Sequence, residues 1–229
     1  MQELQLAAAI IDVARDLART VPPPRGAPYF CLDSDAPYDL DVLRIFCERG
    51  IFRKYEFALD LGSGLGGRAR WLAARSGCRI LGVDSRPRVV AAAALLNRRV
   101  HMDDQVTFQV GQLECLPLRP RVFTHVWLVD VPDPAQLVAM CSEAYRVLRP
   151  GGHFALQCAA SSPAVGANWV TALTEVGFVS LEVCAVELAE LSPPCRLARD
   201  RLAVWSQGAA RETTMRPAPA VQIFATRPA

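Results

Sequence analysis

The stretch FALDLGSGLGGRARWLAARSGCRILGVD, residues 57–84, decides the fold. It opens with the apolar run Phe57 to Leu61, crosses a glycine-rich turn, continues through the helical run Gly67 to Arg75, and ends in a second apolar run, Arg79 to Asp84. Strand, turn, helix and strand within ~30 residues is the length of a right-handed crossover between parallel strands. The alternation persists downstream. Pro87 opens a helix to about Arg99, because proline is pre-set for a first helical position, and Val106 to Val110 alternates as a third strand. Then come a strand His125 to Asp130, a helix Pro134 to Leu148, a strand His153 to Cys158, a helix Asn168 to Val176, and final strands Phe178 to Glu187 and Val221 to Thr226. Seven strands alternating with helices predict an α/β fold, a doubly wound and mostly parallel seven-stranded sheet.

Upstream, Leu6, Ile10, Val13 and Leu17 fall on one face of a helix expected over residues 2–19. VPPPRGAP then forces extended geometry, since three successive prolines remove amide donors. A short helix is expected over Asp39 to Glu48, with Gly50 available to stop it. The chain therefore divides into a helical cap and linker, residues 1–50, and a main domain, residues 51–229. The connection Leu188 to Ala220 is the least legible part, and longer than loop statistics favour. Arg196 to Ser206 reads as a short helix within it, and Trp205 there could wall a pocket or anchor the segment.

The 229 residues are 52% hydrophobic and 21% charged, enough for a sizeable core in a soluble globule. The longest apolar run, Val89 to Leu96, is far short of the ~20 residues of a membrane-spanning helix. The N-terminus lacks the basic stretch and apolar core of a secretory signal, so a cytoplasmic protein is expected. A net charge of +2 provides no field for nucleic acid or a bilayer. Nearly all basic residues are Arg, which reads as the base composition of a GC-rich genome and as nothing functional. Eight cysteines stand singly, without CxxC pairs, and read as buried thiols with no metal implied.

Chemistry concentrates at LDLGSGLGG, Leu59 to Gly67. Glycines let backbone approach a ligand, and the following helix start offers amides and partial positive charge. Gly62, Gly64 and Gly67 satisfy the dinucleotide spacing G-x-G-x-x-G, so a nicotinamide oxidoreductase is one reading. Asp60 argues against it, because a carboxylate ahead of the turn repels a pyrophosphate and suits a ligand with an ammonium group. Asp84, ~20 residues beyond the first glycine, can accept both hydrogens of a ribose diol.

Taken with GVD at Gly82 to Asp84, VTFQVGQLECLPL and YRVLRPGGHFAL, these residues resemble the class I S-adenosylmethionine-dependent methyltransferases, especially the branch acting on small molecules. The resemblance runs from about Phe57 to Cys158 and implies a Rossmann-like methyltransferase fold carrying an N-terminal helical extension. It further implies that Gly62, Ser63, Gly64 and Gly66 surround the methionine part of S-adenosyl-L-methionine, that Asp60 holds its amino end, and that Asp84 binds the ribose hydroxyls. Ser85 would lie beside the adenine and Leu113 would pack on the ring. Gln112 stands where the family usually has an Asp facing the adenine amine; its amide oxygen can still accept that hydrogen bond. Tyr29 and Phe30 stand where similar enzymes close aromatic residues over the cofactor, and packing of the N-terminal helix would explain them equally well.

The chain departs from the family after the fourth strand. Where small-molecule relatives have a longer stretch, often with a His facing the substrate, it reads VWLVDVPDP. Asp130, at the carboxyl end of that strand, is the candidate catalytic base or substrate-orienting group. His125 and His153 each begin an apolar strand away from the expected site and read as core or edge histidines. The leading expectation is a methyltransferase for a small-molecule acceptor. The alternative is a protein that binds S-adenosylmethionine or S-adenosylhomocysteine without methyl transfer, as a regulatory subunit or a cyclase. The N-terminal helix or the long connection could also serve a partner chain in a homodimer.

Overall fold

The computed structural model describes residues 2–33, 40–129, 137–159, 163–188, 202 and 218–229. Strand β1, Phe57–Leu61, lies at the centre of the sheet, buried on both faces, as its unbroken apolar run requires. It is followed by α3 (Gly67–Ser76), β2 (Arg79–Asp84), α4 (Pro87–Arg99) and β3 (Val106–Val110), all close to their expected bounds. The remaining elements are β4 (Phe123–Val129), α5 (Leu137–Val147), β5 (Leu148–Ala159), α6 (Pro163–Val176), β6 (Val179–Leu188) and β7 (Ala218–Thr226); α1 (Gln2–Leu17) and α2 (Leu40–Arg49) precede the sheet.

The seven strands run in the order β3-β2-β1-β4-β5-β7-β6. Strand β7 alone runs opposite to the other six, pairing antiparallel with β5 and β6. The order reverses between β1 and β4, so a crevice for a ligand is expected at the carboxyl ends of those strands. One face of the sheet packs Leu59, Leu61, Val126, Leu128, Phe154 and Leu156 against α5 and α6. The other packs Ala58, Trp127, Val129 and Ala155 against α2 and α3. Outside α4 lies α1, whose Ala7, Ile10, Val13 and Ala14 are buried with Tyr29, Phe30 and Leu96. Each large apolar side chain so buried contributes ~1.5–3 kcal/mol, which is why the amphipathic stripe of α1 docks.

Three expectations are corrected. VLRPGG does not separate α5 from β5: Leu148 already pairs with Phe123, and the ladder resumes at His125↔His153 after an irregularity. Gly151, at φ 71, supplies the left-handed residue this bulged strand needs. Strand β4 therefore starts at Phe123, ahead of His125. Helix α6 begins at Pro163, ahead of Asn168, with proline in its first turn. Asp130, Trp205 and the Arg196 to Ser206 helix fall outside the described residues, of which Leu202 is the one described position in that last range.

Candidate functional site

The glycine turn joins β1 to α3 at the switch point. Its amides are largely satisfied from within: Gly62 and Ser63 both donate to the Val83 carbonyl, at 2.8 and 3.0 Å, and Gly66 donates to the Ser63 carbonyl at 2.9 Å. Gly64 donates to a carboxylate oxygen of Asp84 at 3.0 Å. These bonds fold the turn back on the β2 end, so the amides of these four residues point at protein acceptors and not outward as a pyrophosphate cradle. Gly66 is needed on two grounds. Its φ is +81, and a Cβ there would lie 2.3 Å from the Phe108 ring.

Asp60 is buried, next to Gly82 on β2 and Trp127 on β4. Burial raises its pKa to about 7, against the lowering influence of Arg68 and of Trp127. The Trp127 indole N–H turns toward it without completing a hydrogen bond. A buried acid whose ionised form is disfavoured by desolvation suits an incoming cation. The Ser63 hydroxyl beside the turn is a second buried polar atom with no hydrogen-bond partner among the described residues.

Asp84, also buried, behaves oppositely. Burial alone would raise its pKa, but hydrogen bonds from the Arg86 side chain and backbone and from Gly64 outweigh that and hold it below its ordinary value. Ser85 and Gln112 are exposed around the end of β2 and just beyond β3, and Leu113 is half-buried against the core. Gln112 forms an isolated bridge with Cys115, which fixes the loop carrying it.

Tyr29 is placed by packing. Its hydroxyl donates to the Leu96 carbonyl at 2.6 Å, and its ring lies 5.5 Å from the Arg70 guanidinium. The segment containing it reaches the site through Asp33, whose carbonyl accepts from Gly67 N–H at 3.1 Å. The Asp33 carboxylate pairs with Arg70 at 2.9 Å, both side chains almost wholly buried. The start of α3 thus already has an anionic neighbour from the N-terminal segment. A Cβ on Gly67 would lie 2.5 Å from that carboxylate, so a glycine is required for the approach.

The sequence reading missed Arg68, Arg70, Arg86, Asp33 and Trp127. The first three were hidden in a chain rich in arginine. The available signals were an Arg within the apolar face of α3 and an Arg two residues after the β2 acid, just before Pro87. Far from the turn, at the other end of α3, a cavity of about 510 Å³ is lined by Arg25, Cys47, Phe52 and Arg75 among others. Among the described residues no cluster of His, Cys, Asp and Glu could hold a metal, and no helix is long and apolar enough to cross a membrane.

Comparison with known proteins bears on the same segment. A family model described as a methyltransferase domain matches residues 58–152. The sterol 24-C-methyltransferase ERG6 of Saccharomyces cerevisiae is 31% identical over 102 residues, which is 44% of this chain and 27% of that protein. The matched stretch is thus little more than a quarter of that relative. Among solved structures, a geranyl diphosphate C-methyltransferase from Streptomyces coelicolor, in complex with S-adenosyl-L-homocysteine, superposes with a TM-score of 0.61 at 17% identity, over 82% of this chain and 79% of that one. The [4+2]-cyclase SpnF superposes with a TM-score of 0.64 at 16% identity, over 96% and 93%. At such identities the structures show a shared fold alone, and the sequence match carries the family. With the acid, glycine turn and second acid assembled at the switch point of the sheet, residues 58–152 match a methyltransferase domain in sequence and have the fold of S-adenosylmethionine-dependent methyltransferases.

Proposed function

We propose that this protein transfers a methyl group from S-adenosyl-L-methionine to a small-molecule acceptor. The observation that carries the reading is the pair of buried carboxylates, Asp60 and Asp84, on either side of a turn whose amides already have acceptors. That arrangement suits a cationic amino-acid moiety and a ribose diol better than a pyrophosphate. When bound, the cofactor supplies an electrophilic methyl on a sulfonium.

The residues of the chain do the rest by holding and aligning. Asp60, ionised, holds the ammonium, with the charge of Arg68 favouring the ionised form and the Trp127 indole beside it. Gly62, Ser63, Gly64 and Gly66 wrap the methionine moiety, and the free Ser63 hydroxyl offers a hydrogen bond there. Asp84 takes the ribose hydroxyls, with Ser85, Gln112 and Leu113 around the adenine. Alignment of an acceptor ~3 Å from the reacting carbon can remove several kcal/mol of barrier with no covalent intermediate. A neutral amine needs little more. A hydroxyl or carbon acceptor needs a base, and Asp130, next in sequence after Val129, is proposed for it. Arg68 Nη1 donates to the Val129 carbonyl at 2.8 Å, tying the end of β4 to the cofactor helix.

The proposal is for a cytoplasmic protein working on a dissolved acceptor. The matched relative acts on a sterol and a structural neighbour on geranyl diphosphate, by their names, so prenyl and sterol compounds belong in the acceptor panel beside amines. The test is chromatographic detection of S-adenosylhomocysteine formed over that panel. Turnover on at least one acceptor, slowed by Asp130→Asn with cofactor affinity unchanged, is the expected result. Tight cofactor binding without turnover on any acceptor overturns the transfer step.

A further inference from the structure

The contacts of Asp84 lead beyond this reading, and rest on it. One carboxylate oxygen accepts from the Arg86 backbone N–H and from Arg86 Nε, both at 3.0 Å. The other accepts from Arg86 Nη2 at 3.1 Å and from the Gly64 N–H at 3.0 Å. An ionised carboxylate offers about four acceptor positions. All four are occupied, and a ribose diol with two O–H donors has nowhere to bind.

We infer that Arg86 is a displaceable latch on the cofactor site: its guanidinium occupies the ribose-binding positions of Asp84, and an adenosyl ligand binds by pushing it out. The four donors divide in a way that fits this role. Two are backbone amides, fixed by the glycine turn and by the start of α4, where Pro87 follows directly. The other two belong to the guanidinium. Its side chain is 53% exposed, so solvent is available to receive it, whereas Asp84 is 5% exposed and stays. Removal of the guanidinium frees one position on each oxygen, and a vicinal diol supplies one hydroxyl to each. While the site is empty, the latch keeps a buried carboxylate paired, avoiding the penalty of an uncompensated buried charge.

A ligand that must displace the latch sees its affinity reduced by the fraction of molecules already open. A half-exposed ion pair of this kind holds with an equilibrium constant of about two to five. Arg86→Met keeps the aliphatic stem and the backbone N–H and removes the competitor. Calorimetric titration of the wild type, Arg86→Met and Asp84→Asn with S-adenosylmethionine, adenosine and 2′,3′-dideoxyadenosine tests the inference. Arg86→Met is expected to bind S-adenosylmethionine and adenosine about three- to sixfold more tightly and the dideoxy compound no better. A gain confined to the cationic S-adenosylmethionine contradicts the latch, since it reflects loss of a repelling charge. Weakened binding by Asp84→Asn with no gain in Arg86→Met overturns the latch and leaves the ribose placement standing. If Asp84→Asn binds as the wild type does, or no variant binds an adenosyl ligand, the ribose placement fails and the latch with it.

Discussion

At the carboxyl ends of β1 and β2, Asp60 and Asp84 lie buried among Arg68, Arg86 and glycine amides, whereas toward the amino end of β4 the buried group is His125, with the half-buried His153 of β5 beside it. The His125 ring stacks on Phe52, with centroids 4.6 Å apart, and lies 5.2 Å from His153. Burial lowers the His125 pKa to about 4, although Glu56, 3.8 Å away, pulls the other way. Both ends hide titratable side chains, but they resolve the cost of burial differently. At one end, burial among aromatic rings favours the neutral form of His125. At the other, donors from Arg86 and Gly64 hold Asp84 charged, while burial works against the ionised form of Asp60. Burial of an ionisable group is therefore not by itself a sign of a site; the nature of its partners decides.

The sharpest way to break this contrast is to remove a partner. Arg70 is wholly buried, bonded to Asp33 and to the Leu65 carbonyl. Arg70→Ala leaves the Asp33 carboxylate buried and unpaired, and should cost ~3–5 kcal/mol of stability in urea unfolding. A loss below ~1 kcal/mol would show that the N-terminal segment is not clasped to the turn through this pair.

The next effect is a pH dependence at Asp60. An acid whose folded pKa of about 7 lies above its ordinary 3.8 holds an extra proton in the folded state between those values. Its contribution to stability is complete below the ordinary pKa and is lost as the pH rises through 7. Asp60→Asn should accordingly be more stable than the wild type at pH 8, with the gap closing toward pH 4, while binding S-adenosylmethionine less well. Parallel stability curves would mean that Asp60 is better solvated than its burial indicates.

His125 should give the smallest change, with the opposite sign. Its depressed pKa means that the unfolded chain takes up the proton first, so stability is complete above 6.5 and falls as the pH drops toward 4. His125→Phe, which keeps the aromatic stack, should flatten that acid limb in thermal melts and leave cofactor binding unchanged. An altered cofactor affinity would connect the two ends of the sheet.

The same contrast explains what was legible in the sequence. The β1–turn–α3–β2 unit could be read because a buried central strand writes itself as an apolar run and its turn as glycines. Asp60 and Asp84 were readable as interruptions of that pattern. The early start of β5 was not, since Pro150, Gly151 and Gly152 carry loop chemistry and only the partner strand shows that Leu148 is already paired. Nor was the Asp33–Arg70 pair, which joins residues 37 apart in sequence and leaves no periodic trace. Arg86 was overlooked for a different reason. Its spacing from Asp84 is local, but its significance lies in how it fills the acceptor positions of that carboxylate, which a sequence does not display.

The central claim is that the two carboxylates beside the glycine turn define a pocket for a cationic adenosyl ligand. Calorimetric titration of the wild type and Asp84→Ala with S-adenosylmethionine, S-adenosylhomocysteine and NAD tests it most directly. The account predicts that the wild type binds both sulfur ligands and not NAD, and that Asp84→Ala weakens them by ~1–3 kcal/mol through lost charge-assisted hydrogen bonds. Binding of NAD alone, or affinities unmoved by the substitution, would contradict it.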